Sequence, residues 1–561
     1  MSNLNNIFDN FSYLDLKFPF DFSEITNKLK EENNYIHHAD NQLIYGENVD
    51  YDYGYSDNSS ELNLNSNRVS NTVSEIETWT KTIGYTNNIR LFTGRGDDSI
   101  IGLGNATISS DLRAIAQSES TSTDGASADS TAKAIFQATV EATGVKNSKA
   151  ILTARGDDKI IGLSDVPSTV SAIAEATAID LSLAKANSQA TVVIDVLAIG
   201  VENDGNIYAG RGKDLVVGAA NTSSQIEVQA TALADALNLD LTSTVAEKLN
   251  NANSESNSIS EAINLATALG IANSGNIFLN QGNDTIFGLA TSQSSSDATS
   301  DSQTASNSEK IALAGANAEA LAAVENFTIG ISNRGKIATG WGNDVLTGLA
   351  FNQSQANAKA DAIANAETDV TDSNTNTNAI ADTENIKAIG IDNSAGEIET
   401  GAGADRIIAY GSDTGIFGGR INTGNNNDEI LAYGASVGVE EAKINLGRGN
   451  DYFRAKVARL DPLTGAIALA ENQTNSIRNS QVYGNIGNDT FELGGFNGTV
   501  AIDGGEDFDT LKLSGDIDSY TFGVDSSQTL TIEDSGSILS VKSVEAIYFS
   551  DSEQYSISDF A

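Results

Sequence analysis

The chain holds 561 residues, with 76 acidic and 32 basic side chains, for a formal net charge of −44. That balance excludes the basic surface that nucleic acid requires and disfavours anionic membrane. The lack of cysteine excludes disulfides and zinc–thiolate sites, and no run of 18 apolar residues exists to span a bilayer as a helix.

Residues 1–57 stand apart. They carry both histidines, His37 and His38, and the runs FPFDF and YDYGY. No basic stretch leads into an apolar one, so a Sec-type leader is not expected. Residues 23–33 fit a short helix capped by Ser23, and the segment reads as a cap over the end of a repeat array.

From residue 58 to 495 the chain repeats. A unit opening on glycine, passing an Asn three residues later, and ending in a Gly-rich turn with Asp returns six times. Its glycines are Gly84, Gly144, Gly200, Gly270, Gly330 and Gly390. The turn aspartates are Asp98, Asp158, Asp214, Asp284, Asp344 and Asp405, followed by Asp428, Asp451, Asp489 and Asp509. The offset from opening glycine to turn Asp is the same in the first five copies and one position longer in the sixth. The spacing between copies is looser, from 56 positions between Asn147 and Asn203 to 70 between Asn203 and Asn273. Asp405, Asp428 and Asp451 follow one another at equal intervals of 23 positions, which reads as one bare coil of a solenoid. The longer units are then a coil plus an inserted excursion of roughly 35–45 residues.

Within the excursions Ala recurs at every second position, at 312 through 322 and 356 through 366. Period two is a strand signal, although Ala intrinsically favours helix. We expect wide, flat coils or long β-arms, with Ala-rich helix or linker as the alternative. The fold class expected is all-β: a right-handed parallel β-solenoid, β-roll or β-helix-like, with long β excursions and a small C-terminal β domain at 496–561.

The turn reads G-x-G-x-D before an aliphatic strand, as in Gly94, Gly96, Asp98 and Gly340, Gly342, Asp344. Glycine permits positive φ, and Asp supplies a short charged oxygen ligand. Coils stack about 4.8 Å apart, so these aspartates form a column whose repulsion calcium can relieve. The ten aspartates are the candidate metal ligands, and calcium the candidate ion. The plainer reading is a tight turn whose Asp caps backbone donors. Asn87, Asn147, Asn203, Asn273, Asn333 and Asn393 fit a stacked amide ladder better than a ligand set. RGD at 95–97 and 155–157 reads as turn sequence with Arg in the free position, which Trp341 fills in a later copy.

These turns resemble the hemolysin-type repeats of RTX proteins, most closely at GNIGNDTFE (484–492) and GGEDFDTLK (504–512), although tandem nine-residue copies are absent and Asn485 and Asp507 replace glycines. The end of the chain is similar to the last domain of type I-secreted members, through Tyr520–Phe522, Thr529–Ile532, Val544–Asp551 and the terminal Asp559, Phe560, Ala561. The resemblance implies transient engagement of a type I secretion ABC transporter, an extracellular location, free or associated with the cell surface, and folding by external calcium. The function expected is a non-enzymatic structural or interaction protein of a surface layer, fibre or matrix, with self-assembly or cell-surface polysaccharide as partners. The alternative is an extracellular polysaccharide lyase or epimerase on the same solenoid; both histidines lie outside the repeats, and no Ser/His/Asp set is apparent. Ice binding through threonines preceding the turns is a weaker reading, because Ala209 and Leu279 interrupt the rank.

Overall fold

The computed structural model describes residues 51–550 and 553–561, except for 70, 121–126, 181–182, 238–250, 308–310, 368–370, 384, 461–466 and 471–472. The helix expected at 23–33, and all but the last residues of the expected cap, lie outside the described residues. The rest is a parallel β-solenoid with three sheets. One coil runs through Arg90–Arg95 in a short third sheet and the Gly-rich turn. It continues along Ser99–Ser120 in the first sheet and returns along Ala128–Asn147 in the second. The next coil begins at Ala150–Arg155, paired parallel to Arg90–Arg95.

Register follows the repeat. The residue after each turn Asp pairs with its equivalent one coil on: Ser99 with Lys159, Leu215 with Thr285, Val345 with Arg406, Arg406 with Glu429. Coils of different length therefore stack from a common origin, and all surplus length projects to one side. Leu215–Leu237, Thr285–Asn307 and Val345–Glu367 are 23-residue strands, whereas Arg406–Gly411 and Glu429–Gly434 have six residues. The inserted excursions are thus β-arms, continuous with the coil strands in the first and second sheets, and form a two-sheet blade beside the column. The intrinsic preference of Ala for helix is under about 1 kcal/mol per residue. In-register pairing and burial of one face outweigh it.

Two apolar interiors result. The column is filled by aliphatic stacks such as Ile151, Ile207, Ile277, Ile337, Ile398 and Ile421. The blade is filled mainly by alanine, with Phe136, Val192 and Ile194 among the larger members. Serines in the blade bond across the two sheets, Ser256 to Ser302 at 2.6 Å and Ser258 to Ser300 at 2.7 Å. Alanine and serine are small enough to let the sheets close up without voids.

Between the two interiors the sheets are pinched together at glycine. A Cβ on Gly102, Gly162, Gly218, Gly288 or Gly348 would lie 2.0–2.3 Å from the carbonyl oxygen of Gly144, Gly200, Gly270, Gly330 or Gly390. The glycine that opens each repeat is therefore a site of backbone contact between sheets, and its partner is the glycine four residues after the turn Asp in five successive copies.

The strands of residues 496–561 join the same sheets. Thr510–Leu513 pairs with Thr490–Leu493, and Ser537–Lys542 with Thr499–Glu506. Antiparallel pairing then takes over, from Thr521–Val524 to Leu530–Asp534 to Ser537–Lys542. Tyr520, Phe522, Phe549, Tyr555 and Phe560 meet ring to ring beside the end of the column core.

The pinch is testable by adding one methyl group. Gly218→Ala, with its Cβ 2.0 Å from Gly270 O, is expected to lower stability by about 1–3 kcal/mol through overpacking. Gly315→Ala in the blade, where nothing lies within 4 Å, is expected to leave stability unchanged or raise it by about 0.5–1 kcal/mol. Denaturant titration of the two variants separates these outcomes, and equal stabilities would contradict the pinch.

Candidate functional site

The Gly-rich turns join the third sheet to the first. Gly94 and Gly96 take φ of 100° and 127°, and Gly340 and Gly342 take 104° and 141°, values that side-chain-bearing residues rarely adopt. The turn carries the following Asp inward, so all ten predicted aspartates are at most 3% exposed. The structure brings them into one column, one per coil.

Their hydrogen bonds run from coil to coil. The backbone N–H of each Asp donates to the Oδ1 of its equivalent in the next coil: Asp98 to Asp158, Asp158 to Asp214, Asp214 to Asp284, Asp284 to Asp344 and Asp344 to Asp405, at 2.8–3.0 Å. The series continues through Asp428, Asp451, Asp489 and Asp509 at 2.8 Å each. It ends where Asp509 N–H donates to Glu545 Oε2 at 2.8 Å. One oxygen of each carboxylate thus caps a backbone donor, as the tight-turn reading holds.

The other oxygen differs. The Oδ2 atoms of Asp158, Asp214, Asp284, Asp344, Asp405, Asp428, Asp451, Asp489 and Asp509 are buried and receive no backbone N–H; a threonine hydroxyl lies beside four of these carboxyls, Thr153 at Asp158, Thr339 at Asp344, Thr400 at Asp405 and Thr423 at Asp428. Asp98, at the first turn, instead receives the Thr93 hydroxyl. Burial drives the carboxyl pKa values upward, to about 6 at Asp158, about 8 at Asp214 and Asp428, and about 7 at Asp284, Asp489 and Asp509. Charge on the neighbouring coils adds to the rise, Asp284 and Asp158 acting on Asp214, and Asp405 and Asp451 on Asp428. The backbone N–H bonds oppose the rise but do not cancel it.

The carboxylates line up as a row, not as a cluster. Among the described residues no three acidic or histidine side chains converge on one point. The column instead presents one buried carboxyl Oδ2 per coil, and the coil spacing of about 4.8 Å is close to twice a calcium–oxygen distance of about 2.3–2.6 Å. The carbonyls of Arg155, Arg211 and Gln281 in the same turns already accept a glycine N–H from the preceding coil.

A second ladder lies outside the first and was missed in the sequence. Where Asp or Asn precedes the turn Asp, it accepts from the opposite direction. Asp97 Oδ1 receives Asp157 N–H, Asp157 Oδ1 receives Lys213 N–H, and Asn450 Oδ1 receives Asn488 N–H, at 2.8–2.9 Å. Asn283, Asn343, Asn427 and Asn488 do the same. The signal was present, since Asp or Asn precedes the turn Asp in seven of the ten copies. The Asp of both RGD triplets is held in this outer ladder. The asparagines at the opposite corner form the expected amide ladder, with Nδ2 to Oδ1 distances of 2.7 Å from Asn87 through Asn393.

Outside the turns, Tyr452, Arg454, Lys456 and Glu492 gather on the first sheet. Arg454 and Lys456 pair with Glu492 at 2.8 and 3.4 Å, and Tyr452 donates to the same carboxylate. Lys456, only 4% exposed, also donates to Leu493 O at 3.1 Å and Ser514 Oγ at 2.7 Å. Burial lowers the Lys456 pKa. Burial pushes the Glu492 pKa up, but Tyr452 and the two cations together outweigh it and hold the group at about 2.

No protein-family model matches the chain, and a search of curated proteins finds no match.

The buried column makes ion-free stability depend on pH with a definite sign. The folded pKa values exceed the ordinary carboxyl value of 3.8, so the folded state holds protons that the unfolded chain releases. Stability is expected to be fully present below about pH 4 and to fall as pH rises through the folded values of about 6 to 8. Urea titrations of ion-stripped protein between pH 4 and 8 check this. A midpoint that rises across that window would contradict it.

Proposed function

We propose that the chain is a secreted, calcium-stabilised structural protein, a component of a surface layer, fibre or extracellular matrix. Its C-terminal residues serve type I export, and external calcium drives its folding. The observation that carries this reading is the row of nine buried carboxylates, each with one oxygen bonded to backbone and the other buried without a backbone donor. Such a row is unfavourable when ionised and bare. An ion that binds the folded turns and not the unfolded chain stabilises the fold by mass action. In a low-calcium cytosol at neutral pH the same row opposes folding, which suits export of an extended chain. The resemblance of residues 504–561 to type I-exported proteins supports the route.

Asp158 through Asp509 are the residues that would hold calcium, each through its Oδ2, while Oδ1 keeps the coils in register. Calcium would supply charge neutralisation and cross-linking between coils. The vertical ion pairs do the same locally on the surface, as between Lys146 and Glu202 or Arg406 and Glu429. The polysaccharide-modifying alternative has a place to reside in Tyr452, Arg454, Lys456 and Glu492, but those groups are bound to one another and to backbone. Incubation with uronate polymers tests it, and loss of polymer length or new unsaturated ends would favour the enzyme.

Circular dichroism at pH 8 tests the calcium reading directly. The chain is expected to be less β-rich in chelator than in millimolar calcium and to melt at a lower temperature there. A β-rich spectrum of equal thermal stability in both would overturn it. Asp428→Asn separates charge from shape, because it retains an oxygen to accept the Asp405 N–H. We expect it to stabilise the ion-free fold at pH 8 by about 1–3 kcal/mol and to reduce the gain on adding calcium. Destabilisation without calcium would show that the charge is not the cost.

A further inference from the structure

The blade ends in an open edge. Val345–Glu367 pairs along its whole length with Thr285–Asn307 on one side, but on the other only residues 345–350 are paired, with Arg406–Gly411. Among the described residues, 353–367 have no neighbouring strand on that side, an edge of about 50 Å. The second sheet ends beside it in Thr371–Asp382, whose one strand partner among the described residues is Ile311–Asn333. The blade alanines at this edge are half-buried, where those of inner strands are fully buried, and Ile363 and Ile380 are 49% and 48% exposed. The usual protections of an edge are missing: there is no proline in residues 351–367 and no bulge in the strand. The edge lysine, Lys359, is neutralised by Asp361 beside it.

We propose that this edge is the interface of a two-fold dimer, and that its occupant is the same edge of a second copy. The backbone sets the pairing. Ala350 O accepts from Ser412 N–H, and Asn352 N–H donates to Ser412 Oγ, on the side of the missing neighbour. Even-numbered residues therefore turn their N–H and C=O to the open side. An antiparallel pair centred on Ala360 uses only such residues, with Ala358 opposite Ala362 of the second copy and Ala356 opposite Ala364. That register places Lys359 opposite Asp361 in both directions, and opposite charges facing across strands are favourable.

The column dictates the symmetry. It rises from the base of the ledge, so a copy stacked head-to-tail on the blade would drive its own coils into it. A two-fold axis normal to the blade face avoids this, because each column then lies beyond the tip of the other blade. It also joins first sheet to first sheet and second to second. A ledge of this length across two sheets about 10 Å apart buries on the order of 1,000 Å² per copy, which is the size of a stable interface. None of the turn aspartates takes part, so the dimer stands or falls apart from the calcium reading.

Sedimentation velocity of the full chain tests the proposal, under conditions where circular dichroism shows it β-rich. The wild type is expected to be a dimer. Ala360→Pro removes an N–H aimed at the open side and leaves the odd-numbered residues that pair inward, so it is expected to give a folded monomer. Lys359→Asp sets like charges against each other and is expected to weaken association at least tenfold. Lys359→Asp with Asp361→Lys restores the opposite-charge pairs and is expected to recover the dimer. A monomeric wild type would overturn the proposal. So would a dimer indifferent to all three changes. A monomer whose edge amides resist hydrogen exchange would assign the edge to the chain's own residues 1–50, and would overturn it equally.

Discussion

The structure depends on how a column of carboxylates is accommodated at one coil spacing. Ten aspartates sit in the same corner, nearly inaccessible, at about 4.8 Å intervals. Each secures the next through an N–H to Oδ1 bond, so the group that sets coil register also brings the charge inside. Burial without a full set of partners raises the pKa of such a group, and proton or cation uptake is the physical response. Register and buried charge are therefore one problem in this protein. The chain's −44 formal charge is consistent with a molecule that meets divalent cations where it works.

Around that corner the coil divides its tasks by residue size. Aliphatic stacks fill the column, glycine closes the neck, and alanine with serine fills the blade. The division explains how copies of unequal length, 56 positions from Asn147 to Asn203 but 70 from Asn203 to Asn273, stay in register. Differences in length are accommodated at the blade tips, away from the turn ladder, the asparagine ladder and the neck. In coils without a blade the column persists alone, as at Arg406–Gly411 and Glu429–Gly434, so the blade is not required to continue the stack.

Much of this was legible in the sequence because repetition converts local pattern into position. The constant Gly-to-Asp offset located the first five turns, the even spacing of Asp405, Asp428 and Asp451 gave the coil, and alternate alanines gave the strand character of the arms. The amide ladder was readable because Asn recurs three residues after each opening glycine. What escaped was contact between residues far apart in the chain. The opening glycine marked the start of each repeat, but its role, to meet Gly102 and its equivalents across the neck, was not visible. Asp97, Asn283 and Asn450 looked like variable turn positions, but their acceptors reach a backbone N–H 38 to 60 residues away. The inward direction of each Asp also makes it a cap and a candidate ligand at once, a combination the motif alone does not distinguish from either role.

The central claim is that the buried turn carboxyls carry a neutralising partner whenever the protein is folded. Proton release on adding calcium to ion-stripped, folded protein at pH 6, measured in a pH-stat, tests it most directly. Groups with pKa values of about 7 to 8, such as Asp214, Asp284 and Asp428, should then be mostly protonated, so protons should leave in step with calcium uptake, and the infrared band of the protonated carboxyls should vanish with them. An intact fold at pH 6 with ionised carboxylates, no bound cation and no proton release would contradict the account.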